Sequence, residues 1–552
     1  MRRLTCEEEL LRRLAEAPFA DRLDLAALTG RSPSAVYGAA AELEAAGLAA
    51  ALPHATALIA STRRYCLTAA GVRRLARAEG VTVERLLRTR PVSAHWRRLL
   101  LERLDAVAVI YRLAAALCGL GRPLRIRWYR ASPLDAALFL PDGTIVGVVR
   151  QGAATDRTAF SKRLRRLYEG PLPGAVLVLL PDEVRLRHAR RLLRGAPLTA
   201  FLALEAHVAI AGSGDRIWRL PSLAGGLTLD EALAAVPGRG LAPVESLPGR
   251  VFLSRPFRQG DTQLAPSVLA PAAKRFLDTL FDWPWITPSH LAGLLGVSGE
   301  RASRLAARLE AMGLAGRIPL ARRTLLVPAD RGIALLARRD RASVGVAWRR
   351  WSTGPIDAGA PPDWRDVAGS RSRQLLRNLD HTEAVHGFMA ALAVDARRLG
   401  WEVVQLDPPH RASRYFRHQE RLHSVRPDAF GLLQRYGRAW PFFLEWERRA
   451  VRPVTMRRRL APYLRYFASE RPLEDHGARP AVLIIFDGEL AAAHFLRVAR
   501  VEMERTGVEV PLQVSHRAVF EDLGPLEPAA WRRAGEAGAA GGGIHAGRGT
   551  GG

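Results

Sequence analysis

The chain has 552 residues and a net charge of +28, from 82 lysine and arginine against 54 aspartate and glutamate residues. At 48% hydrophobic and 25% charged it has the composition of a folded protein with several domains, which excludes a mainly disordered or fibrous chain. Only Lys162 and Lys274 are lysines, so the excess charge is almost all arginine; it favours polyanions, nucleic acid first and an anionic membrane second.

Cys6, Cys66 and Cys118 are scattered, form no CxxC pair and suit a reducing interior. The opening MRRLTCEEELLRRL puts acids where a signal peptide needs an apolar run. The apolar stretch AVLIIF at 481–486 has strand length, and no run approaches the 18 residues of a membrane span. A cytoplasmic protein without a membrane partner is expected.

The chain repeats itself. Residues 24–48, DLAALTGRSPSAVYGAAAELEAAGL, align without a gap to 290–314, HLAGLLGVSGERASRLAARLEAMGL. Further on, LERLDAVAVIYRLAAAL (101–117) matches LRNLDHTEAVHGFMAAL (376–392), and SPLDAALFL (132–140) matches RPDAFGLL (426–433). Two halves with the same order of elements imply a tandem duplication.

Each half opens with a first helix (7–17; 272–281) and a second helix ending in Gly30 or Gly296, a residue suited to a left-handed stop. Ser32 or Ser298 then caps a third helix. GLAA or GLAG follows, then a hairpin over 56–67 or 316–327 and a closing helix. Three helices and a hairpin resemble a winged helix-turn-helix. Such modules also mediate protein contacts, and the two copies differ in chemistry. The second carries Arg301, Arg304 and Arg308 along one helix face, and its hairpin adds Arg317, Arg322 and Arg323. Guanidinium groups suit phosphate oxygens and guanine edges. The first copy has Ala35, Gly38 and Glu42 instead, so the second copy is expected to grip DNA and the first to pack or dimerise. A plain solvated arginine face is the alternative.

After each such module the pattern becomes α-β-β-β-α-β. In the C-terminal half the spacing predicts a helix over 376–398, then strands WEVVQL (401–406), PDAFGLL (427–433) and WPFFLEWE (440–447). A helix over 454–467, the strand AVLIIFD (481–487) and a helix over 490–504 complete it. The N-terminal half reads as a helix over 101–118, strands LRIRWY, LDAALFL and TIVGVVR, a helix over 157–168 and the strand AVLVLL. Asp142-Gly143 marks a hairpin turn. This order resembles the restriction-endonuclease-like core of the PD-(D/E)xK nucleases, in which carboxylates on adjacent strands meet at Mg²⁺, a hard ion that takes oxygen ligands.

On that resemblance Asp428 is the first acid. Glu445 and Glu447, on one face of the next strand with Trp446 opposite, supply the others. Asp428 and Glu445 would hold Mg²⁺ or Mn²⁺. The usual Lys position is Glu447, so hydrolysis of the standard kind is in question; Arg448, Arg457, Arg458 or Arg459 could serve as the cation. The alternatives are a pocket that binds metal or DNA without cutting and a structural Arg–Glu network. In the N-terminal half Asp135 is kept, but Val148-Val149-Arg150-Gln151 replaces the acidic strand, so that copy reads as catalytically dead and structural.

RPDAFGLL, PFFLEWERR and the basic helix ending LAPYLRYF resemble the bacterial replication-relaxation family over residues 270–515, and more faintly over 5–210. Leu379-Asp380-His381-Thr382 is similar to that family's His-led helix. The resemblance implies control of plasmid DNA relaxation, mobilisation or replication through DNA binding. It makes Asp428, Glu445, Glu447 and Arg448 the site, with Tyr463 and Tyr466 nearby. Attack on phosphate by a tyrosine is disfavoured, because tyrosines at helical spacing usually pack with the hydroxyl at the rim. His381 at its helix start is a site candidate, with a solvent-facing role the simpler reading.

The expected architecture is therefore α/β with winged helix-turn-helix domains. These are winged helix 1 (1–85), a degenerate restriction-endonuclease-like domain (95–215), a linker (216–265) and winged helix 2 (266–345). A second linker (346–374), a second restriction-endonuclease-like domain (375–525) and a disordered, low-complexity tail (526–552) follow. The expected partner is double-stranded DNA, with a homodimer or replication and mobilisation proteins as protein partners. The DNA-binding set is Arg301, Arg304, Arg308, Arg317, Arg322, Arg323, Arg457 and Arg458. A metal-dependent DNA endonuclease and a winged-helix transcriptional regulator are the alternatives.

Overall fold

The computed structural model describes residues 4–121, 124–223, 225–245, 249–258, 262–320, 323–354, 362–447 and 452–534. The fold is mixed α/β with several separate sheets. The chain forms two compact units, one of residues 1–275 with 334–347, the other of residues 276–333 with 348–552. No helix among the described residues is long and apolar enough to cross a membrane.

The first unit begins with α1 (Cys6–Glu16), β1 (Ala20–Asp21), α2 (Arg22–Thr29) and α3 (Pro33–Ala45), then the ribbon β2 (Ala49–His54) and β3 (Thr62–Leu67). Helices α4 (Ala69–Glu79), α5 (Val83–Thr89), α6 (Ala94–Glu102) and α7 (Leu104–Cys118) lead to a five-stranded sheet. Its strands are β4 (Arg125–Trp128), β5 (Ala136–Phe139), β6 (Ile145–Arg150), β7 (Ala175–Leu180) and β8 (Ala200–Leu204), in that spatial order. β4–β5 and β5–β6 are antiparallel, whereas β6–β7 and β7–β8 are parallel. The parallel pairs are joined through α8 (Arg157–Tyr168) and α9 (Glu183–Leu193). Residues after β8 carry α10 (Glu205–Ile210) and α11 (Leu229–Ala234). The segment expected as a linker returns to this sheet: Leu202 pairs with Arg219 and Pro173 with Gly240, and Trp218 is buried.

Helices α12 (Ala265–Val268) and α13 (Pro271–Asp282) precede α14 (Pro288–Leu295), α15 (Gly299–Ala311), the ribbon β9 (Ala315–Leu320) and β10 (Arg323–Pro328), and α16 (Asp330–Arg339). Next come α17 (Val344–Trp351), α18 (Ser370–Arg377), α19 (Leu379–Arg398), β11 (Glu402–Asp407) and α20 (Pro409–Ala412). The hairpin β12 (Arg414–His418) and β13 (Arg421–Val425) stands apart from the main sheet. Then follow β14 (Ala429–Arg435), β15 (Arg438–Glu447), α21 (Pro453–Phe467), α22 (Arg471–His476), β16 (Ala481–Phe486), α23 (Glu489–Thr506), β17 (Leu512–His516), α24 (Arg517–Leu523) and β18 (Arg532–Arg533). The main sheet runs β11-β14-β15-β16-β17-β18, and its first four pairings have the same senses as the five-stranded sheet: antiparallel, antiparallel, parallel, parallel.

The two helical modules match in backbone detail. Ser32 and Ser298 each accept the N–H three residues on, Ala35 or Arg301, at the start of a 13-residue helix. Gly30 (φ 72°) and Gly296 (φ 67°) close the preceding helices in the left-handed region. Phe19 (φ 67°) and Trp285 (φ 62°) also sit there although they are not glycine, and both are fully buried. A Cβ on Gly71 or Gly332 would lie 2.1 Å from the carbonyl oxygen of Leu48 or Leu314, so both closing helices need glycine to seat on the ribbon.

Some boundaries differ from expectation. The first ribbon starts at Ala49 rather than Thr56, so GLAA opens its first strand. The helices expected over 101–118 and 376–398 are each broken, at Arg103 (φ −109°) and Asn378 (φ −113°). At Asn378 the side-chain amide donates to the Gln374 carbonyl, which competes with a continuous helix. Hairpin β12–β13 is a further element. It turns on Gln419 and Glu420, both at positive φ without glycine, asparagine or aspartate to announce it.

Candidate functional site

On α15 the alternation of small apolar and charged residues separates two faces. Ala302, Ala306 and Leu309 are buried, while Arg301, Arg304 and Arg308 are exposed. Arg304 reaches Glu300 at 3.5 Å, an exposed pair of little energetic weight. The ribbon arginines are more engaged. Arg317 lies 3.2 Å from Glu310 and donates to the Ser303 carbonyl at 3.0 Å, which fixes it beside α15. Arg323 is ion-paired with Glu383 of α19, so its charge is offset within the protein. Arg322 lies outside the described residues. Arg457 and Arg458 are exposed on α21. On α3 the counterparts Ala35, Gly38 and Glu42 are also exposed, so that face is small and acidic.

The acidic residues occupy the junction between antiparallel and parallel parts of the second unit's sheet. Asp428 immediately precedes β14; its N–H donates to the Leu444 carbonyl at 2.8 Å, and its Oδ2 accepts the Trp446 N–H at 2.8 Å. Its Oδ1 lies 3.1 Å from His381 Nε2 near the start of α19, so His381 belongs to this site. Trp446 is buried against Phe388 and Phe520. Glu445 and Glu447 share the opposite face and line a cavity of about 20 Å³, room for one water, with Arg459, Tyr463 and apolar side chains of α21, β16 and α23.

Each glutamate already has a partner. Tyr463 donates to Glu445 Oε1 at 2.6 Å, and Arg459 Nε lies 3.1 Å from Glu447 Oε2. Burial, and secondarily the Asp428 charge, push the Glu445 carboxyl up to about 8, so it holds its proton at neutral pH. Burial also raises the Tyr463 hydroxyl well above the usual phenol range, reinforced by Glu445. Tyr466 donates instead to Asp475 at 2.9 Å, outside this cluster. Both tyrosines are packed hydrogen-bond donors here.

Asp428 and Glu445 could offer oxygens to a divalent ion, which often binds through one or two carboxylates plus phosphate oxygens. Among the described residues no group of three or more His, Cys, Asp or Glu side chains is placed to hold a metal ion. Of the three expected carboxylates, Glu447 is engaged by Arg459 and Glu445 by Tyr463. Arg448 lies outside the described residues.

The first unit shows the same backbone frame with different side chains. Asp135 N–H donates to the Val148 carbonyl at 2.8 Å, and its Oδ2 accepts the Arg150 N–H at 2.7 Å. Arg150 thus stands where Trp446 does, and Val149 and Gln151 stand in place of Glu445 and Glu447. Asp135 is ion-paired with Arg163 (2.6 Å) and Arg341 (3.1 Å), whose charges hold its carboxyl well below the usual range despite burial. Arg150 is in turn clamped by Glu205 and Asp340, each at 2.7 Å. Asp135 is thus held by two arginines, with no carboxylate at the positions of Glu445 and Glu447. The sequence signals for that outcome were Arg150 and the loss of the strand carboxylates.

Comparisons with protein-family models, with curated proteins and with solved structures give no significant match.

Proposed function

We propose that the chain is a tandemly duplicated, double-stranded-DNA-binding protein of the replication-relaxation type. In this reading each unit joins a winged helix-turn-helix to a restriction-endonuclease-like domain, and DNA binding controls plasmid or mobile-element replication, relaxation or mobilisation. One observation carries it: the exposed row Arg301, Arg304 and Arg308 on the helix that Ser298 caps, flanked by Arg317. A helix of this kind fits the major groove, where arginine reads guanine edges and neutralises phosphates. Arg457 and Arg458 add phosphate contacts. The common Asp N–H and carboxylate frame at Asp135 and Asp428, with Phe19 and Trp285 strained alike, supports the duplication. Arg304→Ala is expected to weaken binding of a duplex by roughly 1–3 kcal/mol if it meets a base edge. Unchanged affinity would remove the second winged helix from the account.

A Mg²⁺- or Mn²⁺-dependent endonuclease is the second reading, favoured by one feature. Glu445 is kept protonated beside Asp428, and a cation bound between them would relieve that cost. Arg459 would stand in for the missing lysine.

A further inference from the structure

Arg163 and Arg341, the two arginines that hold Asp135, line a cavity of about 490 Å³, within the range of small-ligand sites. Its wall is cationic. Arg103 at the α6–α7 break and Arg130 after β4 meet Lys162, Arg163 and Arg166 of α8. Arg338 and Arg341 complete it, against one lining carboxylate, Glu102.

Four of these guanidinium groups donate to neutral carbonyl oxygens, and two of the four, Arg163 and Arg341, also pair with Asp135. Arg103 donates to Tyr129 O at 3.3 Å and Arg166 to Ala131 O at 3.0 Å. Arg341 donates to Leu134 O and Ser132 O, both at 2.7 Å, and Arg163 to Pro133 O at 2.6 Å. Carbonyls fix direction but leave the net charge in place. Asp135 offsets part of it, and Glu102 lies 3.8 Å from Arg338. Lys162 has no hydrogen-bond or ion-pair partner among the described residues and is exposed at the rim. Burial and the neighbouring Arg341 push the Arg103 guanidinium down to about 9, although Asp135 and Glu102 oppose the shift.

The same wall holds a carboxylate of the chain itself. The loop after β4 turns consecutive N–H groups of Arg130, Ala131 and Ser132 onto the Glu245 carboxylate, the first two at 2.8 and 2.7 Å. Successive backbone N–H groups of this kind form an oxyanion cradle. That loop lines the cationic cavity as well, so one short segment presents fixed donors to one carboxylate and carries the wall of a larger, positively charged space.

We infer that this cavity is a binding site for clustered phosphate groups, carried either by a free nucleotide or by the end of a nucleic-acid strand. Arginine forks suit phosphate oxygens bidentately, and Lys162 adds a mobile point charge. The site uses none of the α15 arginines and gives the first unit a ligand of its own in place of a purely structural part.

The test uses the full-length protein with tripolyphosphate, ADP and a 5′-phosphorylated single-stranded oligonucleotide as probes, followed by calorimetry. Lys162→Gln with Arg166→Gln is the site variant, since both side chains are exposed; Arg73→Gln with Arg74→Gln, on the exposed face of α4, is the control. Saturable binding that falls at least tenfold in the site variant, and not in the control, is expected. Binding of tripolyphosphate or ADP would identify a free nucleotide as the source, and binding of the oligonucleotide alone would identify a strand end. No saturable binding of any probe, or an equal loss in both variants, would overturn the inference. Unchanged thermal unfolding of the site variant without ligand separates lost binding from lost folding.

Discussion

The hydroxyl of Tyr463 donates a hydrogen bond of 2.6 Å to Oε1 of Glu445 across the gap between α21 and β15. This bond favours the charged carboxylate, yet burial and the Asp428 charge outweigh it and leave Glu445 protonated up to about pH 8. In the unfolded chain the same group ionises near 4.5. Between those values the folded state holds a proton that the unfolded state has released, so stability falls as pH rises through that window and levels off above it. Glu445→Gln keeps an acceptor for Tyr463 and cannot ionise. It is expected to raise the urea midpoint at about pH 8 relative to the parent and to change it little at about pH 4. An unaltered pH profile would mean that Glu445 is ionised in the folded protein.

Under the DNA-binding reading, supercoiled plasmid incubated with the protein and Mg²⁺ or Mn²⁺ is expected to be bound and to remain supercoiled. Asp428→Ala should then leave plasmid binding unchanged. Nicking that is lost in Asp428→Ala would instead establish the endonuclease reading, with Glu447 at the position of the usual lysine.

The first unit buries a chain of charges. Lys274 Nζ lies 2.5 Å from Asp105 Oδ1, which His54 Nε2 also meets at 2.8 Å, and Arg64 Nε donates to His54 Nδ1 at 2.9 Å. Because Nδ1 accepts, His54 is the neutral tautomer that donates to Asp105; burial lowers its pKa in agreement. Removing one buried partner strands the other charge. Lys274→Met is expected to destabilise the first unit by roughly 3–5 kcal/mol, read as a lower denaturant midpoint. A change below about 1 kcal/mol would show that His54 alone satisfies Asp105.

Gly332 supplies a backbone test. A Cβ there would lie 2.1 Å from the Leu314 carbonyl oxygen, so Gly332→Ala must push α16 off the ribbon. A loss of about 1–3 kcal/mol is expected, against a neutral or stabilising effect if the helix were free to shift.

Much of this was legible in the residues. The gapless match of 24–48 to 290–314 anticipated two helical modules, because caps and left-handed stops are written in single residues such as Ser298 and Gly296. The strand carrying Glu445 and Glu447 was legible through its alternation. Harder to read were features set by tertiary partners. The pairing of Arg323 with Glu383, sixty residues on, is written in neither local segment. His381 gave only a helix-start signal, and its closeness to Asp428 depends on how α19 packs on the sheet. The cationic cavity was invisible because Arg338 and Arg341 lie far along the chain from Arg163. Arginine-rich composition masks such gatherings, since every segment contributes some.

The most direct measurement is the salt dependence of duplex binding by the full-length protein and by Arg301→Ala/Arg304→Ala/Arg308→Ala, followed by fluorescence anisotropy. Each phosphate contact contributes about −0.9 to the slope of log affinity against log salt. The account predicts weaker binding by the triple variant and a slope shallower by roughly one for each arginine that meets a phosphate. Equal affinity and equal slope would contradict it and place duplex recognition elsewhere on the chain.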